Sequence, residues 1–133
     1  MTHIQKQLLI KKAVAAMQRA YAPYSRFCVG AALLTRDGRV FQGGNVENAS
    51  SGLTLCAERT AMGAAVTAGH RHFTALAVVS SGQTAPTPCG ACLQVLAEFC
   101  RPDFAILTAT ARNSSAMAVY SLKDLLPRAF RLE

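Results

Sequence analysis

The pattern of apolar and polar residues predicts a helix and then a hairpin in the first third of the chain. Charged residues interrupt residues 4–20, and apolar residues recur there at helical spacing, at Ile10, Ala13, Val14 and Met17. The next apolar runs, "VGAALLT" and "VFQGGNV", flank Arg36-Asp37-Gly38. An Asp-Gly pair between two such runs is typical of a β-hairpin.

The rest of the chain predicts helices that alternate with buried strands. The alanine-rich segment 56–69 ends at Gly69, and "CGACLQVLAEFC" at 89–100 is closed by Arg101-Pro102, so both are predicted helices. The continuous apolar runs "ALAVVS" and "AILTAT" predict buried strands. "MAVYS" predicts a last strand, and "LKDLLPRAF" predicts a short helix that Pro127 breaks.

This order, α-β-β-α-β-α-β-β-α, predicts an α/β fold in which residues 1–133 form a single domain. Strand, helix and strand repeat in the middle of the chain, so the central strands should be parallel. Only about six residues, "ARNSSA", join the last two strands, whereas a parallel pair needs a crossover of roughly a dozen or more. We therefore expect one mixed five-stranded sheet with helices on both faces and its last two strands antiparallel.

The composition narrows the class of protein. Hydrophobic residues make up 51% of the chain and the mean hydropathy is +0.22. Such an apolar small chain is either a membrane protein or a subunit that buries surface against others. No stretch approaches the roughly 18 uncharged apolar residues of a spanning helix. Lys6, Lys11 and Lys12 interrupt the N-terminus, which excludes a continuous signal-peptide core. We expect a cytoplasmic oligomer without a membrane partner.

The net charge of +7 raises the question of a nucleic-acid partner. The positive charges are scattered along the chain and form no dense basic run, and few aromatic residues are present to stack on bases. This pattern favours a solvated cationic surface. We therefore expect no nucleic-acid partner.

Three of the five cysteines fall at two predicted helix starts. Cys56 opens one helix, and Cys89 and Cys92 form a C-x-x-C at the opening of the next. Because one helix precedes the strand "ALAVVS" and the other follows it, their N-termini can lie side by side at one edge of the sheet. Free backbone N–H groups there favour thiolates. Three thiolates suit zinc and leave a fourth position open, as in catalytic sites.

Other interpretations of these cysteines are a redox pair or half of a zinc ribbon. A ribbon needs a second C-x-x-C, which the chain lacks, and a redox pair leaves the third cysteine unexplained. The odd number of cysteines in a chain expected to be cytoplasmic favours free or metal-bound thiols over disulfides. Cys28 and Cys100 stand alone and are interpreted as small buried apolar side chains.

Glu58 follows Cys56 at a distance of two residues. Helix residues two apart point in different directions, so Glu58 is not expected to be a fourth ligand. It can instead lie over the open coordination position, where zinc lowers the pKa of a bound water toward roughly 7 and a carboxylate can take and return the proton. A ligand two residues before a glutamate, followed later by P-C-x-x-C, is the signature of zinc nucleobase deaminases.

The chain resembles the small homotetrameric cytidine deaminases, which bind zinc through three cysteines, over nearly its whole length. The matching stretches are "AYAPYSRFCVGAALLT", "GNVENA", "CAERTA", "PCGAC" and, more loosely, "DLLPRAF". The resemblance implies a three-layer α/β/α sandwich, one zinc ion per chain and a homotetramer. It also implies hydrolytic deamination of cytidine and 2′-deoxycytidine to uridine or deoxyuridine and ammonia, in pyrimidine salvage.

The resemblance implies roles for residues around the metal. Cys56, Cys89 and Cys92 match the zinc ligands, and Glu58 matches the proton shuttle. Arg59 matches a residue that can hydrogen-bond the ligand sulfurs. Zinc with three thiolates carries a charge of about −1, which makes a bound water less acidic, and a guanidinium three residues after Cys56 can offset that charge.

The resemblance also implies substrate contacts. Asn45 and Glu47 match the pair that binds the ribose hydroxyls, and Phe27 matches an aromatic residue that packs near the base. The backbone N–H of Ala57 matches the group that meets the pyrimidine carbonyl, and Phe130 matches an aromatic residue inserted into a neighbour's site. Alternative roles are ordinary core packing for both phenylalanines and a solvated loop carboxylate for Glu47.

Three positions depart from the family pattern, since many relatives carry cysteine at Gly44, tyrosine at Ser51 and arginine at Leu93. Three rival functions also stay open at this point. They are a deaminase that acts on bases within RNA or DNA, a deaminase of a nucleoside antibiotic, and a zinc-stabilised binding module without catalysis.

Overall fold

The computed structural model describes residues 1–132. Four α-helices are labelled α1 (His3–Met17), α2 (Ala57–Thr67), α3 (Gly90–Phe99) and α4 (Leu122–Leu125). Five strands are labelled β1 (Val29–Thr35), β2 (Val40–Gly44), β3 (Phe73–Ser80), β4 (Ala105–Thr110) and β5 (Asn113–Ser121). A 3₁₀ turn covers Ser51–Leu53. No helix within residues 1–132 has the length and apolar character needed to cross a membrane.

The strands form one mixed sheet in the order β2-β1-β3-β4-β5. The predicted mixed five-stranded sheet and the antiparallel last pair are confirmed. The expected parallel central pairing holds for β3 and β4. β1 is antiparallel to both β2 and β3. The crossover through α2 thus joins two strands of the same direction that are not neighbours, because the hairpin partner β1 lies between them.

The predicted "ARNSSA" connection is shorter in the structure. Thr110 pairs with Asn113, so the turn contains only Ala111 and Arg112, and β5 begins at Asn113. β5 is an edge strand whose first residues are polar and largely exposed. The apolar alternation that signals a strand is therefore missing there, although the backbone pairs with β4.

The helices cover both faces of the sheet, which confirms the three-layer architecture. On one face, Leu9, Ile10 and Ala13 of α1 pack in a core cluster with side chains of β1, β3 and β4. On the other face, a second cluster joins α2, α3 and the first residue of α4 to the same strands. Burying each large aliphatic side chain stabilises the fold by roughly 1.5–3 kcal/mol.

Two glycines let helices approach the sheet closely. A Cβ added at Gly30 would collide with backbone atoms of Ala13 and Met17 in α1. A Cβ at Gly43 would lie 2.5 Å from Ala57 O and 2.5 Å from Ala61 N in α2. The contact at Gly43 sets the position of the first turn of α2 over β2, which is the turn that follows Cys56.

A candidate metal centre at two helix N-termini

The three cysteines of the predicted zinc site come together in the fold. The Sγ atoms of Cys56, Cys89 and Cys92 all lie within 4.8 Å of one another, and those of Cys89 and Cys92 are 3.6 Å apart. Cys56 is the N-cap of α2 and Cys89 is the N-cap of α3. Within residues 1–132 this is the only cluster of three or more His, Cys, Asp or Glu side chains that could hold a metal ion.

The two cysteines of the C-x-x-C differ in their environment. The backbone N–H of Cys92 at the start of α3 lowers the pKa of the Cys89 thiol. Burial, followed by the nearby charge of Glu58, raises the pKa of the Cys92 thiol. Three thiolates this close repel one another, and a divalent cation removes that repulsion. The donor set therefore fits zinc, which thiolates bind tightly.

The Arg59 guanidinium lies against this donor set. Its Nη2 is 3.6 Å from Cys56 Sγ and 3.4 Å from the carbonyl oxygen of Thr54. The hydrogen bond to Cys56 is the main reason why the pKa of Arg59 is raised. The Arg59 Nε is buried and has no hydrogen-bond partner. The contact with Cys56 Sγ is the geometry that the predicted role of Arg59 requires, and the role itself stays a prediction.

Glu58 lies in the first turn of α2 and is only 7% exposed. Burial raises the pKa of its carboxyl group, and the hydrogen bond from its own backbone N–H opposes that shift. Its carboxyl group interacts with the Cys92 thiol, which places it beside the sulfur cluster. A buried carboxyl group whose pKa is raised holds a proton more readily than an exposed one, which suits a general acid and base.

Asn45 directly follows β2 and is only 8% exposed. Both the oxygen and the nitrogen of its side-chain amide form hydrogen bonds. Its Oδ1 accepts a hydrogen bond from the backbone N–H of Val29 at 2.9 Å. Its Nδ2 donates to the carbonyl oxygen of Phe27, also at 2.9 Å. The amide therefore braces the start of β1 and keeps one N–H free for another acceptor.

Glu47 is bound to the segment before β1. Its Oε1 accepts the backbone N–H groups of Tyr24 and Ser25 at 3.0 and 3.1 Å. Its Oε2 accepts the Ser25 hydroxyl. These bonds hold the pKa of Glu47 below its usual value, and the bond from the Ser25 hydroxyl has the largest effect. Sequence reasoning missed Ser25, although it lies within the quoted motif "AYAPYS".

Phe27 and Ala57 are placed near the same end of the sheet. The Phe27 side chain is 44% exposed, and a Cβ at Gly82 would lie 2.7 Å from its ring, so the ring packs on that glycine. Ala57 is fully buried at the first position of α2. A backbone N–H in a helical first turn has no intrahelical acceptor. The Ala57 N–H is therefore available to donate a hydrogen bond, and its contact with a substrate stays a prediction.

Phe130 lies in the tail that follows α4. Its carbonyl oxygen accepts a hydrogen bond from Gln94 Nε2 at 2.8 Å, and Arg131 Nη1 donates to the Ala97 carbonyl oxygen at 2.7 Å. The tail is thus attached to α3, while the Phe130 side chain is 69% exposed. The structure does not place this ring in the core of its own chain.

The three residues that depart from the family pattern lie in the core, at a close backbone contact and on the surface. Leu93 is buried in the core cluster beneath α3. A Cβ at Gly44 would lie 3.1 Å from Ala16 O and Ala20 Cα, so the absence of a side chain suits this contact. Ser51 is exposed at the start of the 3₁₀ turn.

A sequence model of the cytidine and deoxycytidylate deaminase zinc-binding region matches residues 3–108. The chain belongs to this family. The matched range includes the three cysteines, Glu58 and the pair Asn45 and Glu47, whereas Phe130 lies outside it. The resemblance inferred from the motifs is thereby confirmed at the level of the family, and the roles of individual residues stay predictions.

Relatives in this deaminase family match the chain over nearly its full length. The cytidine deaminase of Halalkalibacterium halodurans is 47% identical over 130 residues, which cover 98% of this chain and 97% of the relative. A crystal structure of the cytidine deaminase from Burkholderia pseudomallei is 50% identical, covers 98% of this chain and 100% of that chain, and has a TM-score of 0.89. The crystal structure of cytidine deaminase from Mycobacterium tuberculosis is 44% identical and has a TM-score of 0.81. It covers 94% of this chain and 96% of that chain.

Proposed function

We propose that the protein is a zinc-dependent cytidine deaminase that hydrolyses cytidine and 2′-deoxycytidine to uridine or deoxyuridine and ammonia, with a role in pyrimidine salvage. The observation that carries this proposal is the convergence of three cysteine Sγ atoms and the buried Glu58 carboxyl group at two helix N-termini. The names of the relatives at 47% and 50% identity support the same substrate. Residues 1–133 act in this proposal as one catalytic domain.

Cys56, Cys89 and Cys92 would hold one zinc ion per chain. When bound, zinc supplies a Lewis acid that lowers the pKa of the attacking water toward roughly 7. Arg59 donates to the Cys56 sulfur and withdraws part of the charge of the third thiolate. The free backbone N–H groups in the first turns of α2 and α3 also offset part of the negative charge of the three thiolates.

Glu58 carries the proton. It takes a proton from the attacking water as the water oxygen bonds to C4 of the base, and it delivers that proton to N3. It then takes the second proton from the hydroxyl group now on C4 and transfers it to the amino group, so that the C4–N bond breaks, ammonia leaves and C4 becomes the carbonyl of uridine. Burial supports this role because it raises the pKa of Glu58 and lets the carboxyl group hold a proton between the two transfers.

Four residues would hold the nucleoside. The free amide N–H of Asn45 donates to a ribose hydroxyl, and Glu47 accepts a hydrogen bond from it. Phe27 packs near the base, and the Ala57 backbone N–H donates to the pyrimidine carbonyl. These contacts select a nucleoside over free cytosine, because cytosine leaves the polar groups of Asn45 and Glu47 without their ligand.

The active unit would be a cytoplasmic homotetramer in which Phe130 completes the site of a neighbour. Large apolar side chains are exposed in the single chain, among them Tyr21, Val46, Leu55 and Phe130. The outer face of α2 also consists of small exposed residues, Gly63 and Ala64 among them, which allow close helix packing. No nucleic-acid or membrane partner is part of this proposal.

An ultraviolet absorbance assay with free cytidine tests the proposed function. Zinc-loaded protein should deaminate cytidine and 2′-deoxycytidine, with much lower kcat/KM for cytosine and for a cytosine-containing oligonucleotide. Equal kcat/KM for cytosine and cytidine would contradict the roles of Asn45 and Glu47. Turnover of the oligonucleotide alone, with binding that falls steeply with salt, would support the nucleic-acid deaminase instead.

The same assay separates the other rivals. Turnover of a cytosine-nucleoside antibiotic with none of cytidine would support the antibiotic deaminase. Stoichiometric zinc without turnover of any of these compounds would support the binding module. That last rival gives no reason for a glutamate buried beside the sulfur cluster.

A further inference from the structure

The segment between α1 and β1, residues 21–28, is defined here as the site loop, because it carries Phe27. Its backbone is held in an unfavourable conformation at Arg26, whose φ of 59° lies in the left-handed region that residues with a Cβ rarely adopt. The Arg26 N–H donates to the Ala22 carbonyl oxygen at 2.9 Å, which closes a turn. Such a conformation persists only when surrounding contacts hold it.

Glu47 provides these contacts through a single side chain. Its Oε1 accepts the backbone N–H groups of Tyr24 and Ser25, which lie within that turn. The Ser25 hydroxyl donates to Oε2. The same hydroxyl oxygen accepts the Phe27 backbone N–H at 3.0 Å. A continuous chain of hydrogen bonds thus runs from Phe27 through Ser25 to Glu47.

These bonds restrict what Glu47 can offer a ligand. A carboxylate has about four acceptor positions on its two oxygens. Oε1 has both of its positions filled by backbone N–H groups, and one position on Oε2 is filled by Ser25. The remaining acceptor position is therefore on Oε2, and its direction is fixed by the Ser25 hydroxyl.

We propose that Ser25 is a positioning residue that orients Oε2 of Glu47 toward the ribose hydroxyl and couples this contact to the placement of Phe27 beside the base. The inference rests on the proposed nucleoside deaminase function and adds a residue to it. Ser25 contacts the substrate only through Glu47 and Phe27, so its loss should weaken nucleoside binding more than it slows the chemical step.

The ionisation of Glu47 supports this role. The hydrogen bond from the Ser25 hydroxyl makes the largest contribution to the lowered pKa of Glu47. Removal of that hydroxyl raises the pKa, so the carboxylate becomes protonated at a higher pH and then no longer acts as a pure acceptor. The acid-side fall of kcat/KM for cytidine should therefore move to higher pH in Ser25→Ala.

The test compares Ser25→Ala and Ser25→Thr with a matched control, Ser81→Ala. Ser81 is a suitable control because its hydroxyl accepts the Cys28 backbone N–H at 3.0 Å at the end of the same loop, without contact to Glu47. Ser25→Ala should raise KM for cytidine about tenfold, the effect of one charge-assisted hydrogen bond, with kcat within about twofold. Ser25→Thr, which keeps a hydroxyl, should restore KM, and Ser81→Ala should leave both KM and the pH profile unchanged.

A double-mutant cycle with Glu47→Gln decides whether Ser25 acts through Glu47. In the Glu47→Gln background, Ser25→Ala should change KM by less than about twofold, because the oriented carboxylate is already lost. A full tenfold effect in that background, or an unshifted pH profile in Ser25→Ala, would overturn the inference. Zinc content and melting temperature are measured in parallel to exclude unfolding.

Binding of uridine by calorimetry separates this inference from the proposed function. Wild-type protein that deaminates neither cytidine nor deoxycytidine would refute the proposed function. The double-mutant cycle would then be measured on uridine affinity, and it would still decide whether Ser25 positions Glu47. Loss of uridine affinity in Ser25→Ala that disappears in the Glu47→Gln background supports the positioning role. Equal losses in both backgrounds refute it.

Discussion

Cysteine residues in this chain have different chemistry because of their surroundings. Cys56, Cys89 and Cys92 meet at two helix starts, where the Cys92 backbone N–H lowers the pKa of Cys89 and Arg59 Nη2 lies 3.6 Å from Cys56 Sγ. Cys100 is buried behind α3 among apolar side chains, and burial raises its pKa to about 12. The position of each cysteine relative to a helix N-terminus therefore decides whether it can serve as a ligand.

Metal analysis tests the ligand assignment. The triple variant Cys56→Ala, Cys89→Ala, Cys92→Ala should bind no zinc, because the remaining cysteines lie elsewhere and the described chain offers no other cluster of donors. Cys28→Ala serves as the control and should keep one zinc ion per chain. Stoichiometric zinc in the triple variant would show that the metal binds elsewhere.

Glu58→Gln should keep zinc and the fold but lose turnover by roughly 10²–10⁴-fold, the usual contribution of a positioned proton-transfer group. Glutamine has the same shape and cannot accept or return the proton. Steady-state kinetics with cytidine, together with zinc content, provide the measurement. Activity within a few-fold of wild type would mean that another group transfers the proton.

The Cys100 thiol should resist alkylation in the native protein at pH 8 and react after unfolding in urea, as followed by mass spectrometry. Its pKa is raised on folding from 9.0 to about 12, so its contribution to stability is complete below pH 9 and is lost as the pH rises toward 12. Cys100→Ala should remove that alkaline component. Native Cys100 that reacts as fast as the unfolded form would contradict its burial.

At the scale of elements, the site depends on how α2 meets the sheet. Cys56 is the N-cap of α2, and the first turn of the helix carries Ala57, Glu58 and Arg59. Gly43 in β2 lets this turn approach the strand without a side chain between them. A shift of α2 would therefore move the proposed zinc ligand Cys56, the proposed proton carrier Glu58 and the proposed substrate donor Ala57 together.

Gly43→Ala should destabilise the fold by about 1–3 kcal/mol, the usual cost of overpacking, and should also lower activity. The added Cβ would lie 2.5 Å from backbone atoms of Ala57 and Ala61, which cannot rotate away. Gly52→Ala, where a Cβ meets nothing within 4 Å, is the control and should be nearly neutral. Denaturant unfolding and kinetics with cytidine measure both effects. Equal effects of the two substitutions would argue against a tight contact at Gly43.

At the scale of the whole molecule, the chain exposes a large aromatic ring in the segment that follows α4. Phe130 is exposed on a tail that Gln94 and Arg131 attach to α3. A fixed backbone with an exposed aromatic ring suits insertion into another subunit, because little further ordering is required on assembly. The proposed homotetramer gives this ring a function that its own chain does not.

Light scattering should show a homotetramer, and Phe130→Ala should raise KM for cytidine with unchanged zinc content. When Phe130→Ala is mixed with Glu58→Gln under conditions that allow subunit exchange, some activity should return. In mixed tetramers, a site with an intact Glu58 receives an intact Phe130 from its neighbour. A fully active monomer, or no recovery on mixing, would refute the shared site. Mixing wild type with Glu58→Gln controls for exchange.

The sequence by itself determined the features that depend on neighbouring residues. The Asp-Gly turn after β1, the helix starts at Cys56 and Cys89 and the end of α4 before Pro127 all follow from local backbone preferences. The zinc cluster was also predictable, because its ligands lie at helix starts on either side of one strand. The family motifs identified the candidate substrate residues in the same way.

The tertiary structure alone decided the features that join distant segments. β1 lies between β2 and β3, and β5 begins in a polar stretch, because strand pairing is selected by backbone hydrogen bonds with partners far along the chain. The hydrogen bond from the Ser25 hydroxyl to Glu47 joins residues 22 positions apart in the sequence. The hydrogen bond from Asn45 Nδ2 to the Phe27 carbonyl oxygen joins residues 18 positions apart. No local pattern specifies such bonds, since they form only after packing has brought the site loop against the end of β2.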